Sequence, residues 1–253
     1  MLQFLIWISL LLPAQNNIEI NQLHDFISAD QFGNLYVVNK SELTTFNSNG
    51  EKLAVFSNSM LGSICHIDVS NPLRILVFYK DFNQLLFLDR NLAEIGGAVD
   101  LFEFSDNETE LVCTAANGGF WIYNSTNNQA VHISDHGEIV NKSILLNSFF
   151  PNNEPIEILE YNNDLYLLYP EMGILILDRN GQFKKKNLLS GIKNFQFSKN
   201  RLLYTTEAGM YSFQALAQKD QLIYDLKGSQ IIIRNNKLYL SNKKSISIKT
   251  LTL

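Results

Sequence analysis

Residues 161–181, YNNDLYLLYPEMGILILDRNG, carry the pattern that decides the fold. Two apolar runs, Leu165 to Tyr169 and Ile174 to Leu177, are separated by Pro170-Glu171-Met172. A turn containing Asn163 precedes the first run, and Asp178-Arg179-Asn180-Gly181 closes the second. Short runs of Leu, Ile and Tyr, bounded by residues that tolerate positive φ, are β-strands joined by tight turns.

Working outward, the same text recurs. Asn34-Leu35-Tyr36, Asn200-Arg201-Leu202-Leu203 and Asn236-Lys237-Leu238-Tyr239 are close copies of Asn163-Asp164-Leu165-Tyr166, and Asn71 and Asn107 mark two further turns. Successive turns lie about 36 or 37 residues apart, except between Asn107 and Asn163, where some twenty extra residues intervene. Leu35 to Val38 is answered by Leu43 to Phe46, Ile75 to Tyr79 by Leu85 to Leu88, and Leu111 to Thr114 by Phe120 to Tyr123. Each unit reads as a four-stranded antiparallel meander, and a period of roughly 40 residues is that of a propeller blade. The expectation is an all-β, six-bladed β-propeller. Five or seven blades, or a two-sheet sandwich, are the competing architectures, and six regular periods disfavour the sandwich. The last unit has an inner strand at Gln230 to Arg234 and no fourth strand, whereas Ile18-Glu19-Ile20 stands spare. Pairing the two chain ends removes both exposed edges, so closure is expected there.

Composition excludes other classes. The chain has 253 residues, 46% of them apolar and 18% charged, with a net charge of -5. This is globular text, and its acidity disfavours nucleic-acid binding, which needs clustered Lys and Arg. No apolar stretch approaches the roughly 20 residues of a membrane span. Phe4 to Leu12, followed by Pro13-Ala14, has the length and small-residue end of an export signal, so residues 1–14 are expected to be a signal peptide and 15–253 the propeller domain. Cys65 and Cys113 occupy non-equivalent repeat positions and are expected to be unpaired, buried thiols.

Asp30-Gln31-Phe32-Gly33-Asn34-Leu35-Tyr36 resembles the turn that opens a strand in exported propeller repeats of the NHL and YVTN type. The stretch from Asp68 through Asn71-Pro72 and Ile75 to Tyr79, continuing to Leu88-Asp89, is similar to a small exported propeller family of Bacteroidota. That resemblance implies a periplasmic or outer-membrane-associated location and a binding role. It brings no enzymatic activity with it.

Candidate chemistry is sparse. His132, Asp135 and His136 have a helical metal spacing, but their text runs from a strand into a turn that splays them, and a surface loop is expected. His24 and His66 are expected to be packed or hydrogen-bonded. Lys184-Lys185-Lys186 reads as a solvated strand edge. Asp68, Glu157, Gln196 and Arg234 fall in inner-strand text that lines a propeller's channel. No acid pair recurs with the period, so Asp68 is expected to cap its own turn at Ser70 and the others to hydrate the channel. No catalytic residue, metal site or cofactor is assigned.

The loops between the first and second marked strands of each unit should gather on one face. They hold Lys40, then Lys80, Asp81, Phe82 and Asn83, then Asn117, Met172, Glu207 and Lys243-Lys244. Phe82 and Met172 are large apolar residues among polar neighbours, so Lys80, Asp81, Phe82, Asn83 and Met172 are the candidate binding residues. The expected function is that of an exported, non-enzymatic interaction module for another envelope protein, with no nucleic acid, no membrane span and an undetermined oligomeric state. The alternative is a propeller-type lyase or hydrolase acting on carbohydrate or lactone in the central channel.

Overall fold

In the computed structural model, which describes residues 17–105, 107–213, 220–225 and 230–251, Asn162 and Asn163 both hold positive φ, 52° and 62°. They turn Tyr161 back onto Asp164. The same two-residue turn recurs at Lys199-Asn200 and Asn235-Asn236. Two left-handed residues match the twist of the strands they join, so hairpin pairing propagates directly from the Asn-rich text.

Strand β1 (Ile18–Asn21) is followed by six inner-to-outer series. The first blade contains β2 (Phe26–Ala29), β3 (Leu35–Asn39), β4 (Glu42–Phe46) and β5 (Lys52–Ser57). The second has β6 (His66–Asp68), β7 (Ile75–Tyr79), β8 (Gln84–Leu88) and β9 (Val99–Asp100). The third has β10 (Leu111–Thr114), β11 (Phe120–Asn124), β12 (Gln129–Ile133) and β13 (Ile139–Lys142). The fourth has β14 (Glu157–Tyr161), β15 (Asp164–Tyr169), β16 (Gly173–Asp178) and β17 (Phe183–Asn187). The fifth has β18 (Asn194–Ser198), β19 (Arg201–Thr205), β20 (Gly209–Ser212) and β21 (Gln221–Asp225). The sixth has β22 (Gln230–Arg234), β23 (Lys237–Ser241) and β24 (Ser245–Thr250), and β1 completes it as the outer strand.

The expected fold and closure are both present. Ile18 faces Ile248, and Ile20 faces Ile246, in an antiparallel ladder joining residues more than two hundred positions apart. Ile20, Ile246 and Ile248 then pack with Ile27, Leu35 and Val37 of the first blade.

The hydrophobic core is divided among the six interfaces between blades. One cluster joins Tyr36, Val38 and Leu43 to Ile67, Ile75 and Val77. The next joins Leu76, Phe78 and Leu85 to Val112, Phe120 and Ile122, and the pattern continues around the ring. Both faces of a blade are thus covered, which is why β7 and β11 are buried at every residue and lack polar alternation. In four blades the register shifts between the third and fourth strands, at Thr45/Phe46, His132/Ile133, Ile176/Leu177 and Met210/Tyr211. Such bulges add local twist toward the rim.

The sequence frame is wrong in the third blade. Leu111 to Thr114 is its inner strand, not its second, so the equivalent turn is at Asn117 rather than Asn107. The twenty extra residues therefore divide into two excursions, before β10 and before β14, each carrying a 3-10 turn, Leu101–Glu103 and Leu146–Ser148. Asn117 lies at the opposite end of the ring from the loops with which it was grouped. Its place there is taken by the β11–β12 loop, where Asn128 adopts φ 50°. The expected leader, residues 1–14, lies outside the described residues.

Candidate functional site: central channel and loop face

The inner strands enclose a channel of about 610 Å³ whose walls include Ile27, Asp68, Glu157, Gln196, Tyr161 and Arg234. Most of its polar side chains bond across blade boundaries. Gln196 donates to the Ile231 carbonyl and accepts from the Ile233 amide, both at 2.9 Å. Gln230 does the same to both peptide groups of Ile27, at 3.0 Å. A carboxamide presents a donor and an acceptor as a peptide does, so these two glutamines continue the ladder from one blade into the next. Asp68 caps its turn, accepting from Ser70 N at 2.8 Å as the sequence implied, and also accepts from Thr114 N of the third blade at 2.8 Å. Glu160 accepts from the Trp121 indole at 2.7 Å, and Arg234 donates to the Phe197 carbonyl.

Two channel groups differ from this pattern. Glu157 is held by one long bond, from Phe195 N at 3.3 Å, and burial pushes its carboxyl up to about 8. The His66 ring makes no hydrogen bond among the described residues, contrary to the expectation of a satisfied histidine, and burial lowers its pKa although Asp68 acts in the other direction. Arg234 is likewise lowered by burial, partly offset by nearby Tyr161 and Asp68. Tyr161 and Phe197 stack beside it at 4.0 Å between centroids, 3° from parallel.

The channel meets a second cavity, of about 450 Å³, at His66, Glu157 and Ile158. That cavity is also lined by Cys65, Lys80, Glu110, Tyr123 and Glu154. Cys65 was expected inside a strand but precedes β6 and is exposed; Cys113 is buried, and both are free. Cys65 Sγ donates to the Phe78 carbonyl at 3.4 Å, and burial holds its thiol above the ordinary value, which disfavours the nucleophilic thiolate.

The other histidines do not form a metal centre. His132 is buried in β12, not in a surface loop: its Nε2 bonds the Gly118 carbonyl at 2.9 Å and its ring stacks on Trp121 at 4.9 Å. Asp135 instead pairs with Arg74 at 2.5 Å, and His136 is exposed. His24 is packed, bonded to the Gln22 carbonyl at 2.7 Å and to Ser241 Oγ at 2.5 Å. Among the described residues no three His, Cys, Asp or Glu side chains are placed to hold a metal ion.

Strand alternation puts the loops between second and third strands, and the connections from one blade to the next, on one face. Phe82 is 52% exposed there. Asp81 is exposed, and Lys80 is half-exposed and paired with Glu110 at 2.5 Å. Asn83 sits beneath them, 1% exposed at φ 51°, with its side-chain carbonyl accepting from Thr109 N at 2.9 Å. Its side chain supports the loop from within. Met172 folds back against the core between the third and fourth blades. The blade-to-blade connections add apolar residues that the sequence reading did not single out: Leu23, Met60, Phe102, Leu145, Ile156 and Leu188 are all exposed. The signal for them is weak, since a lone apolar residue in a loop is ordinary until the fold gathers several on one face. Gln230 and Glu154 were missed for a comparable reason, because their roles depend on neighbours in other blades.

No protein-family model matches the chain, and no curated protein does. Solved structures do resemble it. A catalytically inactive virginiamycin B lyase from Staphylococcus aureus, in complex with quinupristin, shares 13% identity at a TM-score of 0.66, over 93% of this chain and 99% of that one. The WD40 domain of Neurospora crassa Pan2 shares 10% identity at a TM-score of 0.61, over 90% and 88%. BBS1N in complex with ARL6DN shares 12% at a TM-score of 0.57, over 89% and 77%, or 76% in a second structure, at respectively 13% and 12% identity for TM-scores of 0.58 and 0.57. At these identities the likeness is one of fold, shared by interaction domains and a lyase alike.

Proposed function

We propose that this protein is an exported, non-enzymatic interaction module of the cell envelope that binds another protein through its loop face. The observation carrying this reading is the gathering of Phe82 and the exposed blade-connection residues on a single face. Apolar surface concentrated in this way is costly in water and favours a partner. Lys80 and Asp81 flank Phe82 as a polar rim, and Asn83 and Met172 fix the loops from below. Meanwhile most of the polar channel residues are engaged in joining blades, leaving few for chemistry. The envelope location rests on the export-like text at Phe4 to Ala14.

The test is affinity purification of the tagged protein from its native envelope, alongside Phe82→Ala. The expected outcome is one stoichiometric partner whose recovery falls with Phe82→Ala, while stability changes by no more than about 0.5 kcal/mol. Recovery that tracks only the folded fraction, with a large loss of stability, would show that Phe82 is a core residue.

A second reading, a lyase or hydrolase acting on carbohydrate or lactone, is favoured by one observation: Glu157 is raised to about 8, in the range of a group that exchanges protons near neutral pH. Turnover of such a substrate that disappears in Glu157→Gln would establish it.

A further inference from the structure

The cavity of about 450 Å³ opens on the loop face between the second, third and fourth blades, within the range of small-ligand pockets. It has an uneven charge. Lys80 is the only Lys or Arg in its wall, and Glu110 already pairs with it. Glu154 has no hydrogen bond or ion pair among the described residues, and Glu157 has only its long bond to Phe195 N. A negative charge without a partner beside a half-used carboxyl selects a cation. Independently of the acids, the enclosed His66 ring borders this cavity with no hydrogen bond made. A buried polar side chain without a partner points to a group that is to be bound there. Val112, Pro155 and Ile156 supply apolar wall between these groups.

Three separate acceptors, Glu154, Glu157 and the neutral imidazole of His66, match an ammonium, which has three donors around one nitrogen. A guanidinium is a planar fork suited to one bidentate carboxylate. Resting on the reading of the loop face as the partner surface, we propose that this cavity receives a lysine side chain of the partner protein, with the ammonium bound by Glu154, Glu157 and His66 and the methylene stem against Val112, Pro155 and Ile156. The exposed apolar residues around the mouth then surround a cationic anchor.

The test requires no partner. Nα-acetyl-lysine methylamide is titrated into the folded protein while the His66 ring resonances are followed by NMR, with the Nε-acetylated compound as the neutral probe. The expected result is a saturable His66 shift with the charged probe and binding weaker by about tenfold or more for the neutral one. Glu154→Gln and Glu157→Gln should each weaken the charged probe by on the order of tenfold, while Glu171→Gln, on the same face outside the cavity, leaves it unchanged. Glutamine at 157 retains an acceptor for Phe195 N, so the blades stay joined. Equal binding of both probes, no saturable shift, or no effect of Glu154→Gln overturns the proposal. If Phe82→Ala lowers partner recovery but the probe does not bind, the cavity assignment fails alone. If the probe binds but no partner is recovered, the loop-face reading fails alone.

Discussion

Glu157 is a carboxyl placed where ionisation is expensive. Burial raises it from 4.5 to about 8, so between those values the folded chain keeps a proton that the unfolded chain releases. Its contribution to stability is full below about pH 4.5 and is lost as pH rises to about 8. His66 works in the opposite sense: burial lowers it from 6.5, so its contribution falls as pH drops below that value. The stability of the natural protein minus that of Glu157→Gln should therefore decline across the upper window, measured by urea unfolding at a series of pH values. A flat difference would show that Glu157 is solvated. At Gly119, φ is 78° and an added Cβ would stand 1.8 Å from the Ile133 carbonyl oxygen. Gly119→Ala should cost at least about 2 kcal/mol, whereas Gly96→Ala, with φ 75° and open space around it, should cost about 1 from backbone conformation alone. Denaturant midpoints of the two variants give the ordering. Gly118-Gly119 was legible in the sequence as a turn, but the facing carbonyl that makes Gly119 indispensable belongs to β12 and was not.

Among the elements, β1 has the least local support, because its partner β24 lies at the other end of the sequence. Ile20 is buried in the cluster that joins the sixth blade to the first. Ile20→Ala should destabilise by about 2–4 kcal/mol, as for a core truncation. Leu53→Ala, on the exposed outer strand β5, should change stability by no more than about 0.5 kcal/mol. Equal effects measured by chemical denaturation would show that β1 is dispensable. The spare strand and the incomplete last unit made this pairing readable in advance. The identity of β10 was not readable, because strands covered on both sides have the same apolar text whatever their place in the blade. Only the spacing distinguishes them, and the excursions before β10 and β14 disturb it.

For the whole molecule, the division of the core among interfaces has a thermodynamic consequence. Each blade's burial depends on both neighbours, and the ring has no free end at which to fray, so melting one blade exposes two interfaces. The expected outcome is a single cooperative transition, with far-UV circular dichroism and Trp121 fluorescence coinciding on heating, in a protein lacking residues 1–14. Separate midpoints would mean that part of the ring opens first. Deleting residues through Asn21 leaves β24 as an exposed edge, and both probes should then shift together to lower temperature.

The sequence by itself determined the strands, the turns, the number of blades and the closure, because each depends on local chemistry: Asn and Gly at positive φ, apolar runs of strand length, and a period. It also placed Asp68, Glu157, Gln196 and Arg234 on inner strands. What those residues do was decided only by tertiary structure. Gln196 and Gln230 extend the ladder across blades, Asp68 reaches the third blade, and Glu157 and His66 are left facing cavities. The loop face was foreseen through Phe82, but its extent was not, since Met60, Phe102, Leu145 and Leu188 come from four separate connections. Proximity between residues in different blades is a product of ring closure, and a one-dimensional pattern encodes the period of the ring without encoding which side chains meet across it.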